Sequence, residues 1–213
     1  LIQYRNLFLA GFLTTIELWA MIIVVGVPLG ILLGVIGGRY SKIINRLVSS
    51  LKFVTKVIPV LVLLFWLHYP FQALLGVVIN PFWTTIIALG FVNLVAVAFI
   101  IQSELKLLPI AYREAGMTLG MSKKQIVRHI ELPILMKRVL PSISLNQATM
   151  LEYTLFASLI SVPELFRVAQ SINAMVYDPV SVYSLLVLFF VIILTPLHLF
   201  ITWYKKRSVI EYD

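Results

Sequence analysis

One acid, Glu152, lies inside a long apolar run in the company of Asn146, Gln147, Thr149, Tyr153 and Thr154. Positions 146, 149 and 153 follow the i, i+3, i+7 spacing that places side chains on one face of a helix. A polar face on a helix in an oily chain needs either a pathway for polar solutes or a neighbouring subunit, and both readings stand for Glu152 and its companions. Asn93, alone in the middle of another apolar run, allows a pathway contact or a helix–helix hydrogen bond. Ionisable groups at membrane depth are costly and commonly functional. Glu17 is nevertheless read as an interfacial residue reaching water, and His68, just before Tyr69-Pro70, as a structural hydrogen-bonding group. In the loop that follows the run of Glu152, Glu164 and Arg167 stand three apart and are expected to pair with each other.

Other chemistries are excluded by residue type. The 213-residue chain has no cysteine, which removes disulfides, thiol nucleophiles and iron–sulfur or Cys-zinc sites. His68, His129 and His198 lie in different segments, so no metal site is expected.

The elements that must position these side chains follow from hydropathy. The chain is 61% hydrophobic and only 12% charged, where a soluble domain carries charge at roughly a quarter of its positions. Such a composition belongs in lipid. About 20 apolar residues cross a bilayer core, and five segments qualify, at about 13–36, 57–79, 82–101, 139–160 and 180–204. Helices are expected throughout, because open strands leave backbone groups unsatisfied in lipid. Pro70 breaks the second segment, and Asn80-Pro81 is the turn that separates it from the third. The whole chain, 1–213, reads as one all-α polytopic membrane domain. It begins at Leu1 without methionine, so it is read as part of a longer protein, and nothing near Leu1 is read as a cleavable signal.

Charge sets the expected orientation. Fifteen of the 17 basic residues fall between segments one and two, between three and four, or after five in Lys205-Lys206-Arg207; Arg5 and Arg167 lie on the other side. Basic residues stay on the cytoplasmic side, so the N-terminus is expected outside and the C-terminus inside. The net charge of +8 is then topological, and no nucleic-acid partner is expected.

The largest polar interruption, about 106–135, is placed in the cytoplasm. Pro109 suits the first turn of a helix. Gly120 suits the position past a helix C-terminus, where a left-handed conformation favours glycine. Ser122 with Gln125 three residues later is a capping-box pattern that starts a second short helix, expected to end at Leu132-Pro133. Ala111, Ala115 and Gly116 leave room for close approach of another surface. These signals fit either an amphipathic linker on the bilayer surface or a docking element for another protein.

The order Glu114-Ala115-Gly116, three residues, Gly120, nine residues, Ile130, one residue, Leu132-Pro133 resembles the EAA motif of bacterial ABC importer permeases, with Gly116 in place of the second alanine. Thr154 to Gln170 resembles the segment that follows the motif in the polar amino acid branch. Thr14-Thr15-Ile16-Glu17-Leu18 with Gly26, Gly30 and Gly34 is similar to that branch's first span. The resemblance implies a type I importer (MetI-like) transmembrane domain of five helices that forms half of a translocation pathway. It implies that Ala111, Tyr112, Arg113, Glu114, Ala115, Gly116, Met117, Thr118, Leu119 and Gly120 form a coupling helix and turn. That helix would sit in a groove of a cytoplasmic ATPase subunit. Arg113 and Glu114 are expected to pair with charges there or within the loop.

The implied partners are a second permease subunit, identical or paralogous, two cytoplasmic ATP-binding subunits and an external solute-binding protein, all within membrane lipid. The sequence has no phosphate-binding loop, so the chain is expected to be no enzyme and to bind no cofactor. ATP and magnesium belong to the partner. Asn93, Asn146, Thr149, Glu152 and Tyr153 are the pathway candidates, for a polar amino acid or related small polar solute.

The chain departs from the branch in two places. Relatives commonly carry Lys-Asp-Thr-Ser where Glu152-Tyr153-Thr154-Leu155 stand, and an acid followed by Arg-Gly-Gly where Phe99 and Gln102-Ser103-Glu104 stand. A methionine or compatible-solute importer is the nearest alternative. An ATPase-independent channel or secondary transporter, or a scaffold, is the alternative from another class.

Overall fold

The computed structural model describes residues 2–209, with side chains from 3 to 204. Leu1 and the side chains of Lys205, Lys206 and Arg207 lie outside the described residues. Every regular element among the described residues is a helix. Helix α1 (Arg5–Arg39) leads through Ser41 into α2 (Lys42–Val57). Two short helices follow, α3 (Val60–His68) and α4 (Pro70–Leu75), then α5 (Pro81–Leu107). The polar interruption holds α6 (Ile110–Thr118) and α7 (Lys123–Ile126). Helix α8 (Leu132–Tyr153), a 3₁₀ segment (Thr154–Ile160), α9 (Leu165–Val176) and α10 (Pro179–Val209) complete the chain.

Helices α1, α5 and residues Pro179–Tyr204 of α10 are each long and apolar enough to cross a bilayer. The bent pairs α2 with α3–α4 and Lys123–Ile160 with α9 bring the number to five if each is one crossing.

The centre of the bundle is α1 lying along α5. A Cβ added at Gly26 would come within 2.7 Å of Asn93, one at Gly30 within 2.7 Å of Val97 and one at Gly34 within 2.5 Å of Ile101. The contact steps four residues on both helices in the same direction, so α1 and α5 run parallel. Small residues at this spacing let membrane helices approach closely, where van der Waals contact replaces the missing hydrophobic drive. Helix α8 runs antiparallel to α5: Gln147 meets Asn93, and Arg138 meets Glu104 at 3.4 Å. Leu105, Leu135 and Val139 bury the lower part of this contact. Helix α10 is the peripheral element; little of its apolar window is covered by the chain.

The second apolar segment departs most from its expected form. It begins at Val60, not 57, after a 97° bend from α2, and breaks again at Tyr69-Pro70 because proline cannot donate to the helix ladder. Gly76 ends α4 at φ +65°. Gln72 repairs the break: its Oε1 accepts from Ile79 N–H at 2.7 Å and its Nε2 donates to Thr84 Oγ1 at 3.0 Å. His68 Nδ1 joins the same cluster at 3.3 Å from Thr84 Oγ1, a structural position. Asn80 caps α5 by accepting from Phe82 N–H, and Pro81 occupies its first turn.

Three local readings need correction. Pro109 stands one residue before α6 rather than within its first turn. Leu132-Pro133 does not stop the helix that Ser122 starts. A π-turn, Val127–Glu131, carries it into α8, with Leu132 N–H bonded to Val127 O five residues back. This wider turn tolerates the N–H that Pro133 lacks. Glu164 does not pair with the Arg167 side chain. It is fully buried and caps α9, accepting from Phe166 N–H at 2.8 Å and Arg167 N–H at 2.7 Å.

Candidate functional site: a mid-bundle cavity and a cytoplasmic knuckle

The polar interruption folds into a compact knuckle. Ser122 Oγ accepts from Gln125 N–H while Gln125 Oε1 accepts from Ser122 N–H, the reciprocal pair of a capping box. Gly120 sits at φ +72°, just past the C-terminal end of α6, and Met121 N–H returns to Gly116 O at 3.0 Å. The six-to-one bond and the left-handed glycine together make a Schellman-type stop. Gly116 is turned inward: a Cβ there would meet Ile126 at 2.8 Å, so its smallness serves packing within the chain. Ala111, Glu114 and Ala115 face outward, flanked by Ile110 at 72%, Met117 at 54% and Leu119 at 78% exposure. The outward face of α6 is thus an apolar knob with one acid, held on a capped turn. Arg113 reaches back to Glu131 at 3.9 Å.

The polar residues of α8 divide into two sets. Asn93 is fully buried and saturated. Its Nδ2 donates to Ile22 O at 3.1 Å and Gln147 Oε1 at 2.9 Å, and its Oδ1 accepts from Asn146 at 2.7 Å and Gln147 at 3.1 Å. The four bonds tie α1, α5 and α8 together, and Trp19 Nε1 adds a fifth to Gln147 O at 2.8 Å. Of the two readings open for Asn93, the geometry matches the helix–helix one. Glu152 also stands apart. It is exposed and outside the cavity described next, with no ion-pair partner among the described residues.

Asn146, Thr149 and Tyr153 do come together. They form one wall of a cavity of about 310 Å³ whose other walls are Val92 and Ala96 of α5 and the bend at Ile58-Pro59-Val60. The last two turns of α2 close it with Lys52, Thr55 and Lys56, so half of its lining is polar. This placement was not legible in the sequence, where both lysines count only as basic residues between two spans. Their spacing of four was the available signal, since i and i+4 share a helix face. A larger groove of about 790 Å³ runs between α1 and α10, but Phe8, Leu9, Phe12 and Phe189 wall it. That chemistry suits acyl chains. The smaller cavity offers two ammonium groups opposite a carboxamide, a hydroxyl and a phenol, a set that can bind an anionic or zwitterionic solute without covalent chemistry. Among the described residues no group of His, Asp or Glu side chains could hold a metal ion.

Comparison with known proteins bears on both features. Residues 26–208 match the family described as binding-protein-dependent transport system inner membrane component. A nopaline transport system permease protein of Agrobacterium fabrum is 28% identical over 199 residues, covering 87% of this chain and 76% of the relative. A histidine/lysine/arginine/ornithine transport system permease protein of Escherichia coli is 28% identical, covering 83% and 82%. An L-cystine transport system permease protein of Bacillus subtilis is 35% identical over a shorter stretch, 58% of this chain and 53% of the relative. In fold, a chain of an amino acid ABC transporter crystallised with histidines superimposes with a TM-score of 0.86 at 23% identity, covering 97% of this chain and 96% of that one. An inward-facing MetNI methionine ABC transporter chain gives 0.71 at 20% identity, covering 95% and 98%.

Proposed function

Because the chain belongs to the family of binding-protein-dependent transport system inner membrane components, we propose that it is the ABC importer permease for a polar amino acid, held in transit by the cavity between α2, α5 and α8. The cavity carries this reading. Lys52 and Lys56 would take the solute's carboxylate, since charge-assisted hydrogen bonds to a carboxylate are roughly twice as strong as neutral ones. Asn146, Thr149 and Tyr153 would meet its remaining polar groups. The names of the relatives, which concern nopaline, basic amino acids and cystine, support a solute of this class.

The rest of the assembly follows from the same reading. The chain crosses the membrane five times, with α1 and α5 parallel and α8 antiparallel, the N-terminus outside and the knuckle in the cytoplasm. Five helices cannot enclose a pathway open alternately to each side, so a second permease subunit completes it. Glu152, exposed at membrane depth, then faces that subunit or the shared axis, because a lone carboxylate against lipid costs several kcal/mol, roughly 3 on insertion scales. The exposed face of α6, from Ala111 to Gly120, docks on a cytoplasmic ATPase subunit that supplies ATP hydrolysis with magnesium. An external binding protein delivers the solute.

The test is uptake by proteoliposomes holding this chain with its ATPase and binding-protein partners. Labelled arginine, histidine, glutamine and cystine are offered with and without internal-side ATP. ATP-dependent uptake of at least one is expected. Uptake that ignores ATP, or ATP-driven uptake of methionine or a betaine alone, would overturn the reading.

A further inference from the structure

Glu131, the residue between Ile130 and Leu132-Pro133, is a buried acid at the cytoplasmic base of the bundle, 3% exposed. Its Oε2 accepts from Arg39 Nε at 2.6 Å, and Arg39 Nη2 donates to Leu105 O at 2.7 Å. Arg39 is the last residue of α1, and Leu105 lies in the last turn of α5, where carbonyls lack a helical partner. Its Oε1 faces Arg113 Nε on α6 at 3.9 Å. One carboxylate therefore joins α1, α5, the base of α8 and the outward helix.

The two links differ in kind. The Arg39 side chain is 13% exposed and makes a short bond, whereas Arg113 is 41% exposed and stands beyond hydrogen-bond distance. A merely structural acid is already satisfied by Arg39. The second oxygen, aimed at a half-exposed guanidinium about one ångström too far away, is poised to gain or lose a bond when α6 shifts. The apolar seat of α6, Gly116 on Ile126 and Ile130, lies on the same rod that carries Glu131.

We propose that Glu131 is the positioning residue that passes displacement of α6 to the bases of α1, α5 and α8. Arg39 holds the carboxylate fixed, and the Arg113 contact closes in one transport state and opens in the other. Such a contact couples two sites because it differs between two global states. The inference rests on the permease reading above.

The experiment is a double-mutant cycle in the reconstituted complex, reading solute moved per ATP hydrolysed. Arg113→Gln and Glu131→Gln are each expected to lower that ratio at least twofold. The double variant should fall no further than the lower single, because both remove one contact. Arg113→Lys should keep more of the ratio than Arg113→Gln. Ratios within twofold of the parental complex, or losses that multiply in the double variant, overturn the inference while the parental complex still couples. If Glu131→Gln does not assemble, Arg113→Gln, at the more exposed partner, decides by the same twofold criterion. No ATP-driven uptake by the parental complex removes the permease reading itself, and this inference with it.

Discussion

Asn93 and the lysines of α2 show why a polar residue's type does not fix its task. Asn93 has each amide hydrogen and each oxygen lone pair occupied by α1 or α8. Replacing it with leucine removes the partner of Gln147 Oε1 and of the Asn146 amide. Interhelical hydrogen bonds in membranes are worth about 1–2 kcal/mol, so Asn93→Leu is expected to lower stability by about that amount, read as a lower Tm in detergent. Lys52 and Lys56 line the cavity instead. Lys52→Met or Lys56→Met is expected to raise KM for a carboxylate-bearing solute by about tenfold, the loss of one charge-assisted bond of roughly 1.4 kcal/mol. Their Tm should stay within a degree or two of the parent, since among the described residues neither lysine side chain bonds to another helix. Initial uptake rates against solute concentration separate the two classes.

Helices were legible where the signal is local, and illegible where it depends on a neighbour. The Asn80-Pro81 start of α5, the Ser122–Gln125 box and the left-handed Gly120 are set by residues within one turn, and each has the geometry that its residue types imply. The Pro70 break between α3 and α4 was legible in the same way, whereas the course of the chain through Glu131 and the placing of the α2 lysines involve contacts between distant residues, Arg39 with Glu131 and the fold-back of α2. The same division predicts two glycine phenotypes. A Cβ at Gly34 would stand 2.5 Å from Ile101 and 2.9 Å from Ala98 O, a backbone atom that cannot move aside. Gly34→Val is therefore expected to separate α1 from α5 at a cost of about 1–3 kcal/mol or more, with loss of folded protein in size-exclusion profiles. Gly120 has open space around it, so Gly120→Val meets only the left-handed strain of about 1–2 kcal/mol. It should leave the bundle folded and weaken co-purification of the ATPase subunit.

At the scale of the whole molecule, transport depends on which end of the bundle meets which compartment. Parallel α1 and α5 with antiparallel α8 fit the proposed path of five alternating crossings, which would put the termini on opposite sides. In that proposal the basic residues on the knuckle and in α2 mark the cytoplasmic side. The absence of cysteine from these 213 residues allows a direct test, because any thiol introduced among them has no other beside it in this stretch. Leu119, 78% exposed on the knuckle, and Val78, 99% exposed between α4 and α5, lie at opposite ends of the proposed path. In right-side-out vesicles a membrane-impermeant maleimide is expected to label Val78→Cys and spare Leu119→Cys until the vesicles are opened. In inverted vesicles the order should reverse, and added ATPase subunit should shield Leu119→Cys alone. Equal labelling of both from one side would reduce the number of crossings between them to an even one and move the knuckle out of reach of any cytoplasmic ATPase.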